Sequence, residues 1–431
     1  MREAIIVFNA GSTSVKFGAY EVAGKGTLTP ISHGEVSDMQ TDPQFVAKNS
    51  ADKPLDVHEF GRGHEIDHRT ALHFVVTWLE KNIASMKVVA AGHRVVLGGT
   101  RFEAPVLIDA DVLAYLDSLV VMEPSHQPFN VRGARALAEA FPGLPQVACF
   151  DTSFHRTMPE VAQIYALPKD VLDGGARHWG YHGISYDYIS RQLPKYAPGA
   201  RRVIAAHLGG GASLCAMLDG KSVETTMGFG AQTGLPMATR SGDVPQDLLF
   251  YLLRRKLFDD ASLEKMLYER AGLLGLSGVS GDMRVLQEST DPLAVAAVEY
   301  FVYAMAKYVG AYAAVLGGLD AFVFTAGIGE HSRVGADIFR HRIDEILHRG
   351  DRPRIHALLQ QPHVAADAGQ TEQARALGQH LFERRVIEQL AAQQVEEEVL
   401  RHIAGPGRHR KSGQRAEAHR RFNALSIQHG A

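Results

Sequence analysis

Ile5-Ile6-Val7-Phe8-Asn9-Ala10-Gly11-Ser12-Thr13-Ser14-Val15-Lys16-Phe17-Gly18-Ala19-Tyr20 opens the chain and decides how the rest is read. The continuous apolar run at residues 5–8 reads as a buried strand. The chain then turns through small polar residues and leaves in alternation, with Val15, Phe17 and Ala19 on one face, which is a β-hairpin pattern. Small residues let backbone N–H groups approach an anion closely. The Ser12 and Ser14 hydroxyls donate hydrogen bonds, and Lys16 supplies a positive charge. Taken alone, the stretch reads equally well as an ordinary polar turn.

A second copy breaks that tie. Residues 203–219 again run from an apolar strand, through His207-Leu208-Gly209-Gly210-Gly211, into an alternating strand. Two such units predict a duplicated α/β domain with two small-residue loops facing each other across a cleft wide enough for a polyphosphate. Neither loop has the spacing of a Walker loop or of a dinucleotide fingerprint.

The 431-residue length predicts two domains, divided as 1–150 and 151–350, followed by an atypical tail over 351–431. Hydrophobic content of 45%, charged content of 22% and a net charge of −3 are those of a globular protein, with no electrostatic case for nucleic acid. The N-terminus shows no signal-peptide h-region, and no apolar run approaches membrane-spanning length. A cytoplasmic enzyme is therefore expected. Cys149 and Cys215 sit inside apolar runs and read as buried thiols.

Other features fall between and beyond the two hairpins. Residues 21–70 read as loops with short strands, and their His58, His64 and His68 match no metal-ligand spacing. A buried strand delivers His93 and Arg94 to a Gly turn, where the arginine is placed to grip a carboxylate or phosphate or to form an interdomain salt bridge. Asp151 ends another buried strand and is placed to hold Mg²⁺ through water or to cap the segment after it. The aromatic and histidine-rich stretch 178–183 reads as a cleft lining. Residues 292–316 read as a long helix. After residue 352 the only aromatics are Phe382 and Phe422, and the basic stretch 405–421 reads as disordered.

In this order the motifs resemble the acetate kinase family (acetate and propionate kinases). They are Asn9 to Lys16, Gly92 to Val96, Phe150 to His155, Gly180 to Gly183, His207 to Ser213, Thr239 to Asp243, Ser280 to Arg284 and Phe324 to Glu330. The resemblance covers about three quarters of the chain and is specific jointly rather than motif by motif. It implies two ribonuclease H-like domains around a nucleotide cleft, the fold of sugar kinases, actin and chaperone ATPases. It also implies a homodimer with Mg²⁺ (Mn²⁺ as a substitute) and ATP/ADP as cosubstrate. The implied reaction is reversible transfer of the γ-phosphoryl group to a short carboxylate.

The resemblance implies roles for particular residues. Arg94 would hold the carboxylate, with Val96, Ser125, His126, Tyr181 and Ala231 around the acyl group. Arg240 and His182 would stabilise the transferring phosphoryl, and Asn9 and Asp151 would position Mg²⁺. Ser12, Ser14, Lys16 and His207, Leu208, Gly209, Gly210, Gly211 would meet the phosphates. Asp282, Met283, Arg284 and Gly327, Ile328, Gly329, Glu330, His331 would meet the adenosine.

The sequence departs from the family pattern in several places. Leu97 stands for histidine, Gly210 and His331 for asparagine, Ser125 for leucine and Ala231 for proline. The smaller residues at 125 and 231 predict room for propionate or a larger acid. The family's closing strand and acidic turn, which carries a Mg²⁺-binding glutamate, have no counterpart in the tail. There Glu396, Glu397 and Glu398 follow Val395 on a helical pattern. The tail reads as a replaced or frame-shifted segment, and a catalytically impaired nucleotide-binding relative is the alternative function.

Overall fold

The computed structural model describes residues 2–332 except Ser12, residues 24–26 and residues 83–85. The expectations placed on Ser12, on the side chain of His331 and on the tail, including Glu396, Glu397 and Glu398, lie outside the described residues.

The opening hairpin is formed by β1 (Arg2–Ala10) and β2 (Val15–Ala23), paired antiparallel with Ala10 opposite Val15. Then follow β3 (Thr27–Ser37), β4 (Gln44–Asn49), β5 (Pro54–Glu59), α1 (His68–Asn82), β6 (Met86–Val95), β7 (Val106–Leu107), α2 (Ala110–Ser118), α3 (Gln127–Ala140) and β8 (Gln146–Phe150). These strands make one sheet in the order β5-β4-β3-β2-β1-β6-β8-β7, with β1, β6 and β8 parallel neighbours. Residues 21–70 therefore hold more strand than expected. β3 alone has 11 residues, and β5 is exposed along its length, its alternating Leu55 and Val57 included.

β1 is central and covered on both faces, which explains its unbroken apolar run. Ile6, Phe8 and Ala10 pack with Val15, Phe17, Ala19 and the inner face of α1. Ile5 and Val7 point the other way, toward Val147, Cys149 and Ile184. Each such fully buried large side chain contributes about 1.5–3 kcal/mol.

The second half contains short helices α4 (Glu160–Gln163) and α5 (Lys169–Asp173), then α6 (Gly183–Tyr196), β9 (Arg202–Leu208), β10 (Ala212–Leu218) and β11 (Lys221–Thr225). Helices α7 (Gln246–Arg254), α8 (Asp260–Glu269), α9 (Gly272–Ser277), α10 (Met283–Glu288) and α11 (Pro292–Leu316) lead to β12 (Ala321–Thr325) and α12 (Ala326–His331). The sheet order is β11-β10-β9-β12, with β9 and β10 antiparallel and β12 parallel to β9. This repeats the first half: a hairpin, a third antiparallel strand beyond it, and a parallel strand on the other side.

α6 lies between the two sheets. Its Ile184 packs with the first sheet, while Tyr186, Ile189 and Leu193 pack with Val203, Ala205, Cys215 and Met217 of the second. The expectation that no segment reaches membrane-spanning length is corrected by α11. It has 25 residues and the required mean hydropathy, but Ala294, Ala297, Phe301, Met305, Val309 and Tyr312 bury one face in the core. Asp291 caps its start by accepting from the Leu293 amide at 2.8 Å, and Gly317 ends it in the left-handed conformation.

Sequence reading did not single out Asn130 on α3. Its side chain is buried, donates to the Ala10 carbonyl at 2.8 Å and accepts from the Val96 amide at 3.0 Å. It thus ties the end of β1 to the turn after β6. Asn130→Ala leaves both backbone groups without that partner, and each costs about 1–3 kcal/mol when orphaned in the interior. A loss of about 2–4 kcal/mol in urea unfolding is expected, and a loss under 0.5 kcal/mol would contradict this account.

Candidate active site

Three parallel strands, β1, β6 and β8, deliver Asn9, Arg94 and Asp151 side by side at their carboxyl ends, where open α/β sheets bind ligands. Arg94 donates from Nε and Nη2 to Asp151 Oδ2, at 3.0 and 2.5 Å, and from Nη1 over a long 3.5 Å to Asn9 Oδ1. Burial works against the arginine's charge, but the Asp151 carboxylate outweighs it and the guanidinium pKa is raised. Arg94 forms a salt bridge in this structure, but with the end of the neighbouring strand of its own sheet rather than between domains. A quarter of the Arg94 side chain stays exposed, whereas Asp151 is 2% exposed.

The first phosphate-loop candidate is braced from behind. Gly11 donates to the Ser14 carbonyl at 2.8 Å, and His68 Nε2 donates to the Gly11 carbonyl at 2.6 Å. Burial lowers the His68 pKa, in keeping with a structural neutral imidazole. No grouping of three or more metal-ligating side chains occurs among the described residues, so His58, His64 and His68 form none. Lys16 faces Glu35 at 3.7 Å on the neighbouring strand.

The stretch 178–183 divides, and the cleft-lining expectation is corrected for its aromatics. Trp179 and Tyr181 are core residues, 3% and 2% exposed, because their rings fill the space between the two halves. His182 instead stands at the start of α6 in the left-handed conformation (φ 59°). The next residue must be glycine, since a Cβ on Gly183 would lie 2.0 Å from the Asp151 carbonyl oxygen. That close approach brings α6 against the end of β8.

The His182 ring stacks on His207, with centroids 4.2 Å apart, and its Nδ1 is 2.9 Å from Ser213 Oγ. Ser213 also bonds Tyr186, at 2.5 Å. Burial first, then the charges of His207, Arg94 and Arg240, push the His182 pKa well below the ordinary histidine value. Burial also takes His207 down to about 4. Both rings are neutral at physiological pH.

Arg240 Nη1 donates to the Ala231 carbonyl at 2.6 Å. A Cβ on Gly211 would stand 3.2 Å from Arg240 Nη2 and 3.6 Å from His182 Nε2, so the second glycine loop, the arginine and the histidine converge. A larger residue at 211 would press on the ends of both side chains. Gly210 has open space beside it, and its carbonyl accepts from the Ala238 amide at 3.3 Å. The adenosine candidates also meet, because Met283, Ile328 and Gly329 line one apolar cavity with Leu208 and Phe324. Asp282 and Arg284 pair with each other at 2.6 Å at the start of α10, while Gly327 is exposed. Glu330 turns back to accept from the Ala326 amide at 2.9 Å. Of the acyl candidates, Val96, Tyr181 and Ala231 are buried, and Ser125 and His126 are half-buried. Leu97 is fully buried, with its amide on Gln127 Oε1 at 3.2 Å.

Two sheets of repeated topology, with arginines, a carboxylate and glycine hairpins at their strand ends, give the actin-like ATPase fold. The Acetokinase family model matches residues 4–346, and the chain belongs to that family. It is 46% identical over 332 residues to the acetate kinase of Nitrobacter hamburgensis, covering 77% of this chain and 82% of that one. It is 44% identical over 336 residues to the acetate kinase of Rhodopseudomonas palustris, covering 77% and 84%. A propionate kinase structure from Francisella tularensis superposes with a TM-score of 0.74 at 34% identity, covering 80% of this chain and 88% of that one. The acetate kinase structure from Porphyromonas gingivalis gives 0.71 at 32% identity, covering 80% and 88%.

Proposed function

We propose that this protein transfers the γ-phosphoryl group of ATP to a short-chain carboxylate, acetate or propionate, giving an acyl phosphate and ADP, reversibly. The observation that carries this reading is the convergence of Arg240 and His182 on Gly211, with Arg94 near enough for its charge to act on His182. A carboxylate nucleophile is already ionised at neutral pH, so the site needs no strong base. Its work is to align the acceptor and offset negative charge during in-line transfer.

In this reading Arg94 holds the acceptor carboxylate with the donor capacity that its bond to Asp151 leaves free. Arg240 meets the equatorial oxygens of the transferring group. A Tyr186 hydroxyl donating to Ser213, and Ser213 to His182 Nδ1, leaves a proton on His182 Nε2 to donate to the same oxygens. Ser12, Ser14, Lys16 and residues 207–211 receive the phosphates, and residues 282–284 and 327–331 receive the adenosine.

The residues present suit Mg²⁺ bound mostly by phosphate and water oxygens. Asp151 engages Arg94 through Oδ2 alone, and Asn9 adds an amide oxygen beside it. When bound, the ion would neutralise and orient the phosphates. The domain division at 150 belongs to the same proposal, supported by the first sheet drawing only on residues up to Phe150 and the second on residues 202–325. So does a homodimer, supported by exposed Leu248, Phe250 and Tyr251 on α7 and exposed Tyr300 and Tyr303 on α11. A cytoplasmic location completes it.

The experiment is hydroxylamine trapping of acyl phosphate with Mg²⁺-ATP and acetate, propionate or butyrate. Product is expected, and none with any acid, from folded protein that binds ATP, would leave the impaired relative as the description. With Ser125 and Ala231 taken to line the acyl site, propionate or a larger acid should be accepted better than by a strict acetate enzyme. One methylene in a pocket is worth about 1–3 kcal/mol, so a steep acetate preference would count against the enlarged pocket.

A further inference from the structure

Glu123 belongs to none of the motifs above, yet it is a carboxylate with 0% exposure beside the acyl candidates. Removing such a group from water costs several kcal/mol unless hydrogen bonds and charges compensate. Here both oxygens are engaged, on opposite sides. Oε1 accepts from His126 Nδ1 at 3.0 Å, and Oε2 accepts from the Ala231 amide at 3.3 Å. The Tyr181 hydroxyl, which donates to the Phe229 carbonyl at 2.9 Å, lies near enough to feel the Glu123 charge. The Ala231 carbonyl in turn accepts from Arg240 Nη1 at 2.6 Å. His126, Glu123 and Arg240 are thus linked through residue 231, whose N–H faces Glu123 and whose carbonyl, in the next peptide group, faces Arg240.

We propose that Glu123 is a positioning residue of the transfer site. It holds His126 with its proton on Nδ1, and it ties the loop that carries this histidine to the backbone that seats Arg240. One buried carboxylate then sets both ends of the reaction, the acceptor end and the phosphoryl end. This rests on the transfer reading given above. Residue 231 fits the proposal: a proline, the residue expected there from the family pattern, has no N–H and could not bond Glu123. Glu123 and Ala231 form a matched pair in this chain. The carboxylate's charge also acts on Arg240, Tyr181 and Tyr268, so its influence spans both ends of the site.

The variant that tests it is Glu123→Gln, whose amide offers one acceptor oxygen where the carboxylate offers two. Its NH₂ must then face either His126 Nδ1 or the Ala231 amide. Misplacement of reacting groups by about 1 Å can cost about 100-fold, so kcat/KM for the acid is expected to fall by about 30- to 100-fold. KM for Mg²⁺-ATP should stay within about twofold, and adding Glu123→Gln to His126→Ala should cost clearly less than the substitution costs alone, because only the arm through Ala231 is then left to lose. A role in packing alone would lower the melting temperature, affect both substrates alike and leave the two substitutions additive, and that result would overturn the proposal.

A second measurement needs no Glu123 variant. Long-range ¹H–¹⁵N spectra of histidine-labelled wild-type protein, assigned with His126→Asn, should show His126 Nδ1 protonated. A bare Nδ1 with the proton on Nε2 alone would refute the Glu123 bond. If wild type makes no acyl phosphate, the transfer reading fails by itself, and the tautomer still decides the bond.

Discussion

Arg94→Ala is expected to lower acyl phosphate formation by about 10³-fold or more and to destabilise the protein as well. Removing an arginine that meets a transferring phosphoryl or its acceptor has effects of that size. The stability loss has a separate cause. Arg94 places two donors on one oxygen of Asp151, which is almost wholly buried. Taking away one partner of a buried pair leaves an uncompensated charge and costs about 3–5 kcal/mol. Activity must therefore be measured where the variant is still folded, with ATP binding followed by calorimetry as a check on the other half of the site. Arg94→Lys keeps a charge but not the fork that reaches Asp151 and Asn9 together, so it should recover stability better than turnover. Wild-type turnover in folded Arg94→Ala would remove this residue from the mechanism.

Arg240→Ala should be as damaging to turnover, by about 10³-fold, and much milder on stability. The difference lies in its partner. Arg240 bonds a backbone carbonyl rather than a buried carboxylate, and one neutral-acceptor bond is worth about 1–3 kcal/mol at most. Burial lowers its pKa, while the Glu123 charge acts to raise it. The substitution takes one positive charge away from His182 and opens space beside Gly211. Equal turnover losses with unequal melting temperatures would separate a residue that also holds the fold from one that serves chiefly the transfer. Retention of most activity by Arg240→Ala would mean that the charge on the transferring group is met elsewhere.

Much of the architecture was legible in the chain. The two hairpins read from residues 5–20 and 203–219 are both present, and each leads its own sheet. They were legible because a covered central strand must be apolar on both faces and a tight anion-sized turn must be built of small residues. Strands β3 to β5 were less legible, because they are rich in polar and small residues, and β5 is exposed along its length. The length of α11 was visible as an Ala-rich helix, but its hydropathy was underrated. Tolerance of so apolar a helix depends on what its buried face packs against.

The sequence by itself determined which residues could do chemistry and where the buried strands leading into the small-residue turns would end, since side-chain type and periodicity are local properties. Only the tertiary structure decided which of them meet. It paired Arg94 with Asp151 across 57 positions, sent Trp179 and Tyr181 into the core while leaving His182 at the cleft, and buried Glu123 between His126 and Ala231. Asn130 bridges to Ala10 across 120 positions. Such partnerships follow from burial, where every polar group must find a donor or acceptor among whatever neighbours the packing provides. A pattern along the chain records which face a residue takes, and the partner on that face is set only when the sheets close on each other.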